Sequence, residues 1–321
     1  MKPHIKSLKA INYYEKKLFL SICLALLAPA VRLMAQTAVT VQDCEPGTLW
    51  DRIETQGVNV ETVTSLTVSG SLDDTDFRFI RRMLTSLEDI DLSGTDMTQV
   101  VGDAFNGCTH LKTCRLPLAV TDIGSNSFRD CSQLQSIAFG EATALSGTFL
   151  FHSNLSTICG DAFAGCQSVT CAGFSACTNI NNIEGFNENC RKLTTVMLPQ
   201  EGHYYIGGHA FCGTSIETLT LPTAVDHVDW HFIPSTMRTL VLKSKEPIGA
   251  ADDAFDEVSH SNLRTMGDES ITFEVLPDEG YYLEAIWLNG EELTVENGRF
   301  TIAADEANGM LTVAFTPYSM T

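Results

Sequence analysis

A frame of three apolar residues, spaced apolar-x-x-apolar-x-apolar, recurs along the middle of the chain. Its copies start at Val63, Leu87, Leu111, Leu134, Val169, Leu193, Ile216 and Met237, at intervals of 24, 24, 23, 35, 24, 23 and 21 residues. Because alternate residues of a strand point to opposite faces, each frame predicts a short strand with an apolar inner side. One such coil cannot bury that side alone, so the coils must stack into a solenoid.

A phenylalanine keeps the same period. It stands at Phe105, Phe128, Phe163, Phe186, Phe211 and Phe255. A cysteine follows it by three or four residues at Cys108, Cys131, Cys166 and Cys190. Ile or Val followed by Gly often precedes it, as in Ile123-Gly124, and Pro often ends the strand, as at Pro117. We expect the phenylalanine to fill the coil from the wall opposite the strand, and the glycine to permit a sharp turn before it.

These residues resemble the BspA-like leucine-rich repeats of Bacteroidetes surface proteins. The stretch from Leu111 to Cys131 follows that family's unit almost position for position, and the likeness covers about residues 60–256. The resemblance implies a strand-rich leucine-rich-repeat solenoid of right-handed coils with a short helical or irregular convex side. Residues 140–162 and the copy around Trp230 depart from the pattern.

The chain is expected to divide into four segments. Residues 1–35 form a signal peptide, 36–100 an N-terminal cap with the first repeats, 101–262 the BspA-like repeats, and 269–317 a small β-rich domain. Five lysines precede the apolar run Leu18 to Ala28, as in secretory signals, and cleavage is expected after Ala35, with Ala30 or an uncleaved anchor as alternatives. We therefore expect an exported protein, secreted or at the cell surface, with the periplasm as the alternative.

The two ends carry further signals. Residues 47–53 and 76 to about 84 are expected to form short helices that close the first coil, the second capped by Asp73, Asp74 or Thr75. Residues 269–317 resemble a small β-rich domain of secreted bacterial proteins, with Asn289-Gly290 as a hairpin turn.

The charge restricts the partners. The net charge is −20, and removal of residues 1–35 leaves 14 Lys and Arg against 39 Asp and Glu, a charge of −25. Nucleic-acid backbones and anionic membranes both favour basic surfaces, so neither is an expected partner. No apolar run of about twenty residues follows residue 40, so no transmembrane helix is expected after signal cleavage.

The cysteines allow two main interpretations. Ten remain after removal of residues 1–35, an even number that suits disulfides in an exported protein. However, the repeating cysteines occupy equivalent positions, which favours a ladder of buried thiols. His227 and His231 lack the sequence context of a zinc site. Two carboxylate groups, Asp73/Asp74/Asp76 and Asp252/Asp253/Asp256/Glu257, lack EF-hand spacing. We expect no metal or cofactor.

The outward strand positions are the candidate binding face, because repeat solenoids commonly bind through this sheet. The candidates are Glu88, Asp89, Asp91, Lys112, Arg115, Gln135, Thr170, Thr194, Thr195, Met197, Glu217, Thr218 and Arg238. His203, Tyr204 and Tyr205 form a candidate contact loop. The alternative is that threonine is simply favoured at exposed strand positions.

The resemblance to the BspA-like repeats implies a non-catalytic binding protein that recognises a host or microbial surface protein, or a glycan. The alternative is a periplasmic or outer-membrane scaffold for the cell's own proteins or glycans. An enzyme is not expected, because no catalytic motif stands in a recognisable context.

Overall fold

The computed structural model describes residues 37–143, 145–186, 188–222, 225–228, 234, 236, 239–244, 271–277, 281–288, 290–302 and 311–317. The predicted signal peptide, Arg238, and the segment around Trp230 lie outside these residues. Phe255 and the start of the frame at Met237 lie outside them as well.

The apolar frames from Val63 to Leu193 form six strands of a long parallel sheet, sheet A, whereas the frames at Ile216 and Met237 fall on strands of a separate sheet. In sheet order the strands of sheet A are β1 (Thr37–Cys44), β2 (Val63–Gly70), β3 (Asp89–Thr95), β5 (Thr113–Leu116), β7 (Ser136–Phe139), β8 (Thr148–Leu150), β10 (Cys171–Gly173) and β12 (Thr195–Met197). The central frame residues Leu66, Ile90 and Cys114 lie opposite one another in register and are buried. The predicted solenoid of stacked strands is therefore confirmed, although β1 and β8 were not predicted from the sequence.

A second parallel sheet, sheet B, takes one short strand from most coils. Its strands in chain order are β4 (Gln99–Val100), β6 (Asp122–Ile123), β9 (Thr157–Ile158), β11 (Asn182–Ile183), β13 (Tyr204–Ile206) and β15 (Val225–Val228). The first four contribute a single buried Val or Ile each, such as Ile123. Strands this short carry almost no periodic signal, which is why the sequence analysis did not identify them.

The irregular segment 140–162 contains a shortened coil. Strands β7 and β8 are neighbours in sheet A although only eight residues separate them. In sheet B, β6 pairs directly with β9. Sheet A therefore gains one strand that sheet B does not, and the interval of 35 residues is one full coil plus one half-coil.

Two short helices stand near the N-terminal end of sheet A. They are α1 (Leu49–Glu54) and α2 (Asp74–Met83), with a 3-10 turn at Val60–Thr62. The side chain of Asp73 caps α2 by accepting hydrogen bonds from the N–H groups of Thr75 and Asp76 at 2.8 and 3.2 Å. Both helices were expected from the sequence, and α2 begins two residues earlier than predicted.

A column of stacked phenylalanines runs through the coil interior. The rings of Phe105, Phe128, Phe163, Phe186 and Phe211 follow one another with centroids 5.0, 5.5, 4.9 and 6.2 Å apart and interplanar angles of 12–25°. All five are fully buried. The predicted filling of the interior by this residue is confirmed, and the column, called here the phenylalanine spine, links successive coils.

The cysteine that follows each phenylalanine bonds to the preceding coil. The Sγ–H groups of Cys131, Cys166 and Cys190 donate to the carbonyls of Phe105, Phe128 and Phe163 at 3.1, 3.3 and 3.1 Å. These three cysteines are fully buried, and the cysteines that the structure describes are all free thiols. The geometry agrees with the ladder of structural thiols.

The turn before four of the five described phenylalanines is built differently from the prediction. There the left-handed residue is not the glycine but the residue two positions before the phenylalanine, at Asp103, Asn126, Asp161 and His209, with φ of 56–62°. The glycine is needed for close packing instead. A Cβ atom on Gly124 would lie 2.8 Å from backbone atoms of the preceding coil. Before Phe186 the left-handed residue is a glycine, Gly185, with a φ of 117°.

The C-terminal strands form two smaller groups. One sheet joins β14 (Thr218–Leu221), β16 (Thr239–Ser244), β17 (Ile271–Pro277) and β20 (Arg299–Ile302), and the other joins β18 (Tyr281–Leu288), β19 (Glu291–Glu292) and β21 (Leu311–Pro317). β16 and β17 pair in parallel, so a ladder connects the repeat segment with the predicted C-terminal domain, whose boundary stays a prediction. β18 and β19 form the expected hairpin, with Gly290 at a φ of 84°.

Candidate functional site

The outward residues of sheet A line up in two columns across its strands, and together they are called the ladder face. The first column is Ser65, Asp89, Thr113, Ser136, Thr148, Cys171 and Thr195. The second is Thr67, Asp91, Arg115 and Ala138, then Leu150, Gly173 and Met197, where the step from Ala138 to Leu150 continues the register of the preceding pair Ile137 and Phe149. Neighbouring strands of a sheet lie about 4.8 Å apart, so each column spans roughly 29 Å. The columns bring the predicted residues of β3, β5 and β12 onto one surface.

One end of the ladder face is charged. Just before β5 and β3 begin, Lys112 pairs with Glu88 at 2.7 Å, and within these strands Arg115 Nε lies 3.6 Å from Asp91. The Thr113 hydroxyl donates to the carboxylate of Asp89. These ion pairs are about one-third exposed, so each contributes little stability in water. Their carboxylates and cations remain accessible for contacts with another molecule.

A shallow depression lies among these charges. It has a volume of about 240 Å³ and is lined by the outward residues of β2, β3 and β5 together with Ile90, Cys114 and Ala138. One of its walls is Arg115, whose guanidinium also donates to the carbonyls of Gly140 and Ala142 at 2.6 and 2.8 Å. These two hydrogen bonds hold the Arg115 wall of the depression against the half-coil that follows β7.

The other end of the ladder face carries no charge in its two columns. From β7 to β12 its residues are small or hydroxylated, except for Leu150 and Met197, which are 38% and 40% exposed. Gly173 lies between them, and a Cβ atom there would meet Leu150 Cδ2 at 2.9 Å and Met197 Cε at 3.0 Å. The side chains of Leu150 and Met197 therefore both lie above Gly173 and form one exposed apolar strip.

The remaining predicted face residues flank the columns. Gln135 accepts a hydrogen bond from the Ser146 hydroxyl at 2.9 Å, and the Thr170 hydroxyl donates to the carbonyl of Gly147 at 2.9 Å. Thr194 is exposed beside β12. Glu217 and Thr218 are exposed too, but Thr218 belongs to the separate sheet that starts at β14. Arg238 lies outside the described residues.

The prediction of a contact loop at residues 203–205 is wrong for Tyr204. Tyr204 is fully buried, and its hydroxyl donates to the carbonyl of Pro199 at 2.9 Å, so it cannot contact a ligand at the surface. It belongs with Tyr205 to strand β13 rather than to a loop. Tyr205 is 49% exposed, and His203 is exposed beside it. Alternation in the strand buries one tyrosine and exposes the next.

Several residues of the ladder face were missed by the sequence analysis. Ser65 and Thr67 were not included, although their frame had been identified. Thr148 and Leu150 were missed because the half-coil shifts the period, yet the alternation Thr148-Phe149-Leu150-Phe151 would have revealed a strand there.

The described thiols are poor candidates for nucleophiles. Burial raises the pKa of Cys190, Cys108 and Cys177 to about 12 and that of Cys166 well above its ordinary value. A thiol in this state is scarcely ionised at neutral pH and is inert. Within the part of the chain that the structure describes, no three His, Cys, Asp or Glu side chains are grouped so as to hold a metal ion.

The sequence matches the family model of the BspA-type leucine-rich repeat region. Six copies are found, within residues 76–157 and 138–233. No curated protein sequence matches the chain.

Solved structures of bacterial repeat proteins are also similar. A leucine-rich cell surface protein from Faecalibacterium prausnitzii is 22% identical over 46% of this chain and 43% of its own, with a TM-score of 0.31. A leucine-rich repeat protein from Bacteroides ovatus is 16% identical over 58% and 51%, with a TM-score of 0.41. The pneumococcal vaccine antigen PcpA is 15% identical over 56% and 51%, with a TM-score of 0.36. The chain spans about half the length of these structures.

Proposed function

Because this chain belongs to the BspA-type leucine-rich repeat family, we propose that it is a non-catalytic binding protein, secreted or held at the cell surface. It recognises a protein of a host or of another microbe through the ladder face, with a glycan as the other class of ligand. Recognition needs no cofactor or chemical step.

The observation that carries this proposal is the alignment of the outward residues in two columns over seven strands. A surface held by ladder hydrogen bonds loses little conformational entropy on binding, which favours affinity. It offers charged groups at one end, and an exposed apolar strip at Leu150 and Met197 at the other. A mixed polar and apolar composition is typical of protein interfaces.

Export is supported by the lysine-rich start and the apolar run of residues 18–28. Among the helices that the structure describes, none is long and apolar enough to cross a bilayer. A periplasmic or outer-membrane scaffold remains the rival proposal, and the exposure of the protein on intact cells separates the two.

A site-specific cross-linking experiment tests the proposed face. A photoreactive amino acid replaces Thr195 on the ladder face, and in a matched control it replaces Thr178, an exposed threonine outside both sheets. We expect cross-linked products with surface proteins from Thr195 and far fewer from Thr178. Equal yields from both positions would contradict recognition by the ladder face.

Protease treatment of intact source cells tests the location. We expect peptides from the repeat region to be released while periplasmic marker proteins stay intact. If the repeats are digested only after the envelope is opened, the surface proposal is wrong and the periplasmic scaffold is favoured.

A further inference from the structure

Strand β1 has one paired edge and one outer edge. It pairs with β2, and it is the terminal strand of sheet A as far as the structure describes the chain. An unpaired edge presents backbone N–H and C=O groups on which a strand of another molecule can add.

The sequence of β1 does not protect this edge. Residues 37–42 read Thr-Ala-Val-Thr-Val-Gln, which has four β-branched residues and neither a charge nor a proline. Short uncharged segments with high β-propensity are the ones that pair readily at exposed edges. Charged residues and prolines commonly protect such edges, and the first of them in β1 is Asp43.

Two side chains near α1 occupy the backbone acceptors of the edge. The guanidinium of Arg52 donates to the carbonyls of Gln42 and Asp43, the second at 3.1 Å. The amide of Gln56 donates to the carbonyl of Thr40 at 3.1 Å. Because these carbonyls bond to side chains rather than to β2, they mark the outer edge of the strand.

The helix that carries Arg52 is itself firmly placed. Its residues Leu49 and Ile53 are fully buried, and the buried carboxylate of Asp76 accepts hydrogen bonds from the N–H groups of Gly47 and Leu49 at 2.7 and 3.0 Å. Arg52 is therefore held where an incoming strand would have to lie, about 4.8 Å from β1. Gln56, two residues after the helix, is tied to it because its amide also donates to the carbonyl of Arg52 at 3.3 Å.

We propose that Arg52 and Gln56 prevent this protein from associating with a second copy of itself through the outer edge of β1. Without them, two copies pair β1 against β1 across a two-fold axis, because such an edge is complementary to itself. This control of self-association is separate from the ligand recognition proposed for the ladder face.

The test is the oligomeric state of the double variant Arg52→Ala/Gln56→Ala, measured by size-exclusion chromatography with light scattering. Wild type and variants are purified from the source cells, so that the predicted signal peptide is processed as it is in the cell. We expect the wild type to have the mass of one chain and the variant to reach at least twice that mass, more completely at higher concentration. The matched control is Arg78→Ala/Gln133→Ala, which removes the same two residue types from exposed positions and should stay monomeric.

A rescue variant shows whether the edge itself is responsible. In a strand, the N–H and C=O groups of one residue point to the same side, so the N–H of Thr40 faces the outer edge as its carbonyl does. Thr40→Pro therefore removes a donor that an added strand needs and leaves the hydrogen bonds to β2 in place. Added to the double variant, it should restore the single-chain mass. If the double variant loses the circular dichroism signal of the fold, Gln56→Ala alone, which leaves Arg52 in place, is measured instead and should associate more weakly.

Two results would overturn the proposal. One is a folded double variant whose mass stays that of a single chain at the same concentrations as the control Arg78→Ala/Gln133→Ala. The other is association that persists after Thr40→Pro, because the copies would then be joined through another surface.

Discussion

Replacement of Phe163 by alanine should remove much of the stability of the central coils. Its ring is fully buried and stacks between Phe128 and Phe186, with centroids 5.5 and 4.9 Å away. Removal of a buried phenylalanine side chain costs about 3–5 kcal/mol, and a lost aromatic pair adds about 0.5–1.5 kcal/mol. We therefore expect the free energy of unfolding to fall by about 5 kcal/mol, measured by urea denaturation followed by circular dichroism.

Two comparisons make this prediction specific to the phenylalanine spine. Tyr205→Ala removes a half-exposed aromatic residue and should cost less than about 1 kcal/mol. A double-mutant cycle between Phe163 and its stacked neighbour Phe186 should give a coupling of about 1 kcal/mol. A cycle between Phe163 and Phe77, which contacts Phe105 at the end of the spine and shares no ring contact with Phe163, should give additive effects.

The reasoning would be refuted by a loss below about 2 kcal/mol for Phe163→Ala, because the site would then collapse without a cavity. It would also be refuted by equal couplings for the stacked and the distant pair.

Three further predictions concern buried polar groups. Asp76→Ala should destabilise the protein by about 3 kcal/mol, because it orphans backbone N–H groups that the carboxylate now satisfies; amide exchange of Leu49 should accelerate. Burial lowers the pKa of His152 below 6.5, so the unfolded state takes up its proton first and stability should decrease as the pH falls below about 6.5. The urea midpoint measured from pH 7.5 to 5 reports this. Cys190, with a pKa of about 12, should resist alkylation at pH 8 in the native protein, as mass spectrometry would show.

Each of these has a control. Asp74→Ala changes an exposed carboxylate on the same helix and should have a small effect; a loss equal to that of Asp76→Ala would show that only charge matters. His152→Gln should flatten the pH dependence, and an unchanged slope would assign it to other groups. Cys171, which is partly exposed on the ladder face, should be alkylated before Cys190, and the reverse order would disprove the burial of the thiol ladder.

The apolar frames predicted six of the eight strands of sheet A, and the spaced phenylalanines predicted the buried residues of the spine. Both depend on residues that recur at the same position of every coil, such as Leu111 and Phe128, and a stacked architecture requires such recurrence. The sheet B strands could not be predicted in the same way. Asn182–Ile183 is only two residues long, so hydrogen bonding to neighbouring coils, rather than a local pattern, makes it a strand.

The candidate face was predictable in position but not in exposure. Alternation placed Asp91, Arg115 and Met197 on the outward side, and the register now aligns them. How far each is exposed depends on the neighbouring strand, which the sequence does not specify. Ala138 is 3% exposed although it points outward, and Tyr204 is buried although it was predicted to lie in a contact loop.

The stacking of coils has a mechanical consequence. Pulling along the stacking direction loads the hydrogen bonds between one coil and the next, because these bonds run from strand to strand. A full coil of 23 residues contributes about 4.8 Å while stacked. Once peeled away, it extends to about 78 Å at roughly 3.4 Å per residue. Under load the molecule would lengthen in steps of about 73 Å, one coil at a time, and the half-coil would give a visibly shorter step.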